Sequence, residues 1–195
     1  IGVGLVGSEM CIRDSFMQGP LLMDDLRFVS PPASLPKAEF MARFGGIYEH
    51  SPWVASSLFT QGCDVQDDQL THFAARMAGI VDAAGHDAQL TLLRAHPELA
   101  GKLAIAGNLT AESSAEQAGA GLDACSADEF ARFQMLNTRY GAAFGHPFII
   151  AVRGLTRSDI LAAFEQRATN DPETEFATAL AEVHKIARLR LADLC

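Results

Sequence analysis

The chain has 195 residues, 49% of them hydrophobic, which is enough to bury the core of one compact domain. Its formal net charge of −9 at pH 7 argues against nucleic acid and anionic membrane surfaces as partners, since both select basic protein faces. No apolar run approaches the ~20 residues that span a bilayer, and the four cysteines share no C-x-x-C spacing, so we expect a cytoplasmic protein without zinc or disulfides.

The first 15 residues differ in character from the rest of the chain. The glycines of IGVGLVG spell the dinucleotide-binding pattern G-x-G-x-x-G, but no strand precedes it and no crossover helix follows it, so we predict no cofactor site there. Residues 5–15, LVGSEMCIRDS, are what one reading frame of a transposon-based sequencing adapter encodes. We therefore expect residues 1–15 to be a sequencing artefact, disordered and without function, followed by an N-terminal arm at residues 16–33.

Residues 34–195 form the predicted helical domain, in which apolar residues recur at helical spacing between start and stop signals. In chain order, we expect helices at about 34–43, 52–59, 64–83, 87–94, 111–121, 126–144, 156–167 and 171–193. The run Phe148–Val152 is the only strand-like segment. The predicted fold class is therefore all-α, a single compact bundle of about eight helices.

His96 lies in the densest group of chemically useful residues, LRAHPELAGK. It stands between a predicted helix end and Pro97, so its backbone is constrained. A histidine at such a break can point into a cleft and titrate near neutral pH. The alternative is an ordinary hydrogen-bonded histidine in a turn.

A second candidate is the segment ESSAEQ, in which Ser113 and Glu116 have the spacing of a capping box. A helix N-terminus also presents free N–H groups and positive potential, which favour a bound carboxylate. Glu116 is therefore either a helix cap or an acid/base partner of His96.

The run Phe148–Val152 is a third candidate. It is apolar and suits a core, but as an extended segment at a pocket its free backbone groups would bind a ureide or an imide. Arg153 follows it and would balance a substrate's charge, although a surface salt bridge is the favoured interpretation.

Two further features are given structural interpretations. The segment Tyr48–Val54 holds the only tryptophan and is interpreted as a helix–loop–helix corner packed by Trp53. The histidines are scattered and form no H-E-x-x-H pattern, so we predict no metal site.

Five segments together resemble one known family. They are IYEHSPWVA, LLRAHPELAGKLA, LTAESSAEQAGAGL, LNTRYGAAFGHPFIIAVRG and EVHKIARLRL. In this order and spacing they are similar to the 2-oxo-4-hydroxy-4-carboxy-5-ureidoimidazoline (OHCU) decarboxylase family, from about Leu35 to Leu194.

The resemblance implies an all-α homodimer that needs no metal or organic cofactor. It also implies the third step of urate breakdown, in which OHCU and a proton give (S)-allantoin and CO₂. The family's catalytic histidine falls on His96 and its proline neighbour on Pro97. The implied substrate-binding positions are Ser113, Ser114, Ala115, Glu116 and Gln117 in one segment, and Phe148, Ile149, Ile150, Ala151 and Val152 in another.

These assignments give a mechanistic hypothesis. His96 acts as the acid/base group, Glu116 orients or assists it, helix-start amides near Ser113 bind polar edges, and Gln117 and the 148–152 backbone clamp the ureido and ring amides. The alternatives are a non-catalytic helical interaction module and a metal-dependent hydrolase. Whether His96, Glu116 and residues 148–152 meet in one cleft distinguishes the enzyme from the interaction module.

Overall fold

The computed structural model describes residues 25–100 and 109–195. Within these ranges the chain forms eight α-helices and no strand, which confirms the predicted all-α bundle for the described residues. The helices are α1 (Lys37–Phe44), α2 (Trp53–Gln61), α3 (Leu70–Asp82), α4 (His86–Arg94), α5 (Ala111–Gly119), α6 (Ala127–Phe144), α7 (Arg157–Arg167) and α8 (Pro172–Ala192). The predicted artefact at 1–15 and most of the arm, up to residue 24, lie outside the described residues.

Four of the eight described helices begin at a side-chain cap. Ser126 and Glu129 form a capping box at the start of α6, and Thr156 and Asp159 form another at the start of α7. Asp171 caps α8 by accepting a hydrogen bond from the Thr174 N–H. Among the described residues, no helix is both long and apolar enough to cross a membrane.

The helix predicted at 64–83 is interrupted, and the cause is tertiary. Asp64 caps a short 3₁₀ helix, Val65–Asp68, and α3 begins only at Leu70. The arm pairs with this break: the Leu70 N–H donates to the Leu26 carbonyl at 2.9 Å, and the Phe28 N–H donates to the Asp68 carbonyl at 3.0 Å. Local periodicity cannot report a break that a distant segment stabilises.

The helices enclose two apolar clusters. The first cluster contains side chains from α1, α2, α3, α4 and α8, together with Phe28. The second contains side chains from α6, α7 and the neighbouring loops. Helix α8 packs against α3, α4 and α6, so it lies at the centre of the bundle.

The segment 148–152 runs between these two clusters without forming a strand. Ile149 and Ala151 belong to the first cluster, whereas Phe148 and Val152 belong to the second. Alternate side chains of an extended chain point to opposite sides, which explains how so short a segment serves both clusters. The sequence left open whether residues 148–152 are part of the core or line a pocket, and in the structure the same segment does both.

Candidate active site

His96 follows the C-terminal end of α4, and its imidazole is buried. Pro97 disfavours a helical conformation at the residue before it, so the helix ends at Arg94 and the chain turns at His96. The His96 Nδ1 lies 3.0 Å from the Leu92 carbonyl oxygen. Because a carbonyl only accepts, Nδ1 carries the ring proton and Nε2 is left as a base.

Burial keeps this imidazole neutral. Desolvation is the largest influence and lowers the pKa of His96 below its ordinary value, while the Leu92 hydrogen bond and the charge of Glu49 raise it to a lesser extent. At pH 7 the unprotonated Nε2 is therefore available to accept a proton.

Most of the predicted site residues line one cleft together. They are His96, Pro97, Ser113, Glu116, Gln117, Phe148, Ile149, Ile150 and Val152, with Leu99, Ile186 and Arg190 completing the walls. His96, Glu116 and the 148–152 segment thus meet, which is the outcome that favours an enzyme over an interaction module.

Three predicted site residues lie outside the cleft walls. Ser114 and Ala115 of α5 are exposed, and Ala115 lines a neighbouring cavity together with Glu116 and Arg190. Ala151 is buried, and its N–H is used elsewhere, since it donates to the Glu182 carboxylate at 2.7 Å. The side chains of these three residues therefore do not line the cleft that contains His96, and their contact with substrate stays a prediction.

Glu116 forms an ion pair across the cleft with Arg190 of α8. The Arg190 Nε lies 2.8 Å from Glu116 Oε1, and its Nη2 lies 2.9 Å from Oε2, which is the bidentate geometry of a strong guanidinium–carboxylate pair. Within the described residues Glu116 makes no hydrogen bond to His96. The Leu92 carbonyl, and not Glu116, orients the imidazole.

Glu49, in the loop between α1 and α2, is a second carboxylate behind this pair. It is 2% exposed and accepts hydrogen bonds from Thr110 Oγ1 at 2.7 Å, Ser113 Oγ at 2.8 Å and Arg190 Nη2 at 2.8 Å. Burial raises the pKa of Glu49, but the hydroxyl bonds and the Arg190 charge together outweigh it, so the pKa is lowered overall. Two carboxylates facing one guanidinium leave one negative charge in excess near His96.

Neither Glu49 nor Arg190 was predicted from the sequence as a site residue. Each occurs in a segment that carried the family resemblance, IYEHSPWVA and EVHKIARLRL. The segment Tyr48–Val54 was interpreted as a corner packed by Trp53, and Glu49 was given no role. A glutamate and an arginine 141 residues apart give no local signal that they pair.

The predicted capping box at Ser113 and Glu116 is wrong. Helix α5 begins at Ala111, where its start was predicted, but its N-cap is Thr110, whose hydroxyl accepts a hydrogen bond from the Ser113 N–H at 3.2 Å. The amide of Ser113 is therefore used within the helix start and cannot bind a substrate.

Gln117 takes its expected place in the cleft. Its Oε1 accepts a hydrogen bond from the Ala100 N–H at 3.2 Å, and the side chain is buried. This bond fixes the orientation of the amide and leaves its amino group as a donor.

The backbone of the 148–152 segment is less free than predicted. Arg167 Nη1 donates to the Ile149 carbonyl at 2.8 Å, and the Leu155 N–H donates to the Val152 carbonyl at 3.0 Å. The Ala151 N–H is taken by Glu182. In the described part of the chain, the N–H and C=O of Ile150 make no hydrogen bond, so they remain for a ligand.

One smaller prediction is also tested by the structure, and a search for metal ligands adds a further observation. Arg153 pairs with Asp193 at 3.0 Å, which confirms the surface salt bridge. Across residues 25–100 and 109–195, no group of three or more His, Cys, Asp or Glu side chains is arranged to hold a metal ion.

A helical protein in which a buried neutral histidine faces a cleft with paired ionised groups is typical of an acid/base enzyme. The comparisons with known proteins define its family. The chain matches the OHCU decarboxylase family over residues 33–192 and belongs to that family of carboxy-lyases.

Individual relatives agree with this assignment. The chain is 44% identical to the OHCU decarboxylase of Haloferax volcanii over 154 residues, covering 79% of this chain and 88% of the relative. It is 40% identical to the Mus musculus OHCU decarboxylase over 162 residues, covering 83% and 89%. A crystal structure of (S)-allantoin synthase superposes with a TM-score of 0.65 at 35% identity, covering 84% of this chain and 52%, about half, of that chain.

Proposed function

We propose that this protein removes the carboxylate of OHCU to give (S)-allantoin and CO₂ in urate degradation, with His96 as the acid/base group. Family membership supports the reaction. The single observation that carries the role of His96 is its tautomer. The Leu92 carbonyl holds the proton on Nδ1 of this cleft-lining residue, and Nε2 makes no hydrogen bond with the described residues.

The substrate's own structure explains how the bond breaks. Carbon 4 of OHCU carries the carboxylate and a hydroxyl, and it adjoins a C=N bond at carbon 5. When the bond to the carboxylate breaks, its electron pair forms a C=C bond between carbons 4 and 5, and the former C=N pair moves to nitrogen, which takes up a proton. The C=N group thus accepts the electrons that other decarboxylases pass to a cofactor.

Allantoin forms when the resulting enol becomes a ketone. The hydroxyl at carbon 4 loses its proton, the C=O bond forms, and carbon 5 gains a proton. We assign both transfers to His96 Nε2, which accepts the hydroxyl proton and returns it to one face of carbon 5. A positioned acid/base group contributes about 10²–10⁴-fold to a rate, and delivery to one face produces a single enantiomer. Overall, the reaction consumes one proton.

Glu116 assists through charge in this proposal. Glu49 and Glu116 each favour the charged form of His96, whereas Arg190 opposes it. The excess negative charge of this cluster stabilises the imidazolium that forms while Nε2 holds the proton. Gln117 and the backbone N–H and C=O of Ile150 bind the amide edges of the substrate.

The resemblance also supports a homodimer that works without a metal or an organic cofactor, and the cysteine pattern supports a cytoplasmic location. Sedimentation equilibrium of the purified protein tests the dimer. A monomer at micromolar concentration would contradict it.

The test of the proposed function is to add the protein to freshly generated OHCU and follow circular dichroism. We expect optically active (S)-allantoin to form faster than OHCU decays without protein, and at the same rate in the presence of a chelator. Racemic product at the uncatalysed rate would contradict the proposal and favour the interaction module. Loss of activity with chelator would favour a metal-dependent enzyme.

A further inference from the structure

Two charged side chains hold the peptide groups on either side of Ile150. Arg167, at the end of α7, donates from Nη1 to the Ile149 carbonyl at 2.8 Å. Glu182, on α8, accepts from the Ala151 N–H with Oε2 at 2.7 Å. Neither side chain lines the cleft, so both act on it through the backbone.

Peptide geometry determines what these two anchors do to Ile150. The described residues contain no cis peptide, and a trans peptide points its C=O and its N–H in opposite directions. Holding the Ile149 carbonyl towards Arg167 therefore turns the Ile150 N–H away from Arg167. Holding the Ala151 N–H towards Glu182 turns the Ile150 C=O away from Glu182.

We infer that Arg167 and Glu182 are positioning residues that present the N–H and C=O of Ile150 to the cleft as a paired donor and acceptor. Such a pair matches an amide edge, in which an N–H and a C=O lie side by side, as in the ureido group and ring of OHCU. The inference rests on the proposed function and adds two residues that do not touch the substrate.

The two anchors differ in how firmly they are built into the fold. The Arg167 guanidinium stacks over the Phe148 ring at 4.5 Å and pairs with Glu175, which is fully buried. Replacing Arg167 would leave a buried carboxylate unpaired and would destabilise the whole protein. Glu182 is 21% exposed at its side chain, and Lys185 Nζ lies 3.8 Å from its other oxygen. Glu182 is therefore the residue at which positioning can be separated from folding.

The experiment compares Glu182→Ala, Glu182→Gln and the control Lys185→Ala by their kcat and KM for OHCU. We expect Glu182→Ala to raise KM about tenfold, the effect of a weakened hydrogen-bonded pair, and to leave kcat within about threefold. An amide edge that does not change during the reaction is bound equally in the ground state and the transition state, so KM carries the effect. Glu182→Gln keeps an oxygen acceptor and should restore the wild-type KM. Lys185→Ala should match the wild type.

Hydrogen exchange of the Ala151 amide gives a second readout that does not depend on catalysis. It should be faster in Glu182→Ala than in the wild type and unchanged in Lys185→Ala. A wild-type KM in Glu182→Ala, or a Glu182→Gln protein as impaired as Glu182→Ala, would overturn the inference while the wild type stays active. A wild type that forms no optically active allantoin would instead contradict the proposed function.

Discussion

The imidazole of His96 owes its chemical character to its immediate neighbours. The Leu92 carbonyl selects the tautomer, and burial lowers the pKa of His96 and so disfavours the charged form. A nearby excess of negative charge opposes burial, so the charged form is reached at a modest free-energy cost. A group that must accept and then return one proton needs a pKa that is neither too low nor too high, so burial and the negative charge act together.

The pH dependence of the reaction tests this description of His96. Burial lowers the pKa of His96, so the neutral base persists below pH 6.5 and is lost only as the pH falls through that lowered pKa. We expect the acidic limb of kcat/KM to show an apparent pKa below about 6.5, the ordinary value for histidine. A limb at or above that value would contradict a buried neutral base.

Local signals made His96 a candidate, and the family resemblance gave it the catalytic role, which stays a prediction. A helix end and a proline flank it, and both act within a few residues. The same reasoning missed Glu49 because nothing beside it in the chain shows that its carboxylate is buried. Its partners Thr110, Ser113 and Arg190 come from other parts of the chain, and only the folded structure brings them together.

At the scale of elements, Glu49 joins the loop before α2 to the start of α5 and the end of α8. It receives two hydroxyl donors from α5 and its cap, and one guanidinium donor from α8. The start of α5 was predicted at residue 111, but its N-cap was assigned to Ser113, because Thr110, Ser113 and Ser114 are all acceptable caps. The Thr110 hydroxyl accepts from the Ser113 N–H, and both hydroxyls donate to Glu49.

The substitution Glu49→Gln tests this junction. The carboxylate of Glu49 only accepts hydrogen bonds, whereas a glutamine amide would place an NH₂ donor against one of the groups that now donate to Glu49. Neither donor would then have an acceptor. We expect the free energy of unfolding in urea to fall by about 1–3 kcal/mol, together with a lower kcat. The exposed Glu112→Gln on α5 is the control and should unfold like the wild type. Equal stability of Glu49→Gln and the control would contradict the role of the junction.

At the scale of the whole molecule, the helical class and the order of the helices could be predicted from the sequence. Apolar spacing and caps act within one helix, so they are visible in the chain itself. Which backbone groups of residues 148–152 are hydrogen-bonded could not be predicted. Their partners, Arg167 and Glu182, lie on helices that follow later in the chain. The cleft is a product of how α4, α5, α8 and that segment pack.

The interpretation of residues 1–15 as an adapter artefact stays a prediction, since they lie outside the described residues. A protein that begins at Met17 should unfold at the same temperature as the full chain and show the same kcat/KM. Loss of stability or activity on removing these residues would show that they belong to the enzyme.

The central claim is that His96 returns a proton to one face of carbon 5, and the enantiomeric excess of allantoin from His96→Asn tests it most directly. Asparagine is close to histidine in shape and its amide can still donate to the Leu92 carbonyl, and thermal unfolding checks that the fold is retained. The account predicts a single enantiomer from the wild type, and nearly racemic allantoin at close to the uncatalysed rate from His96→Asn. A variant that keeps a near-normal rate and full enantiomeric excess would contradict it.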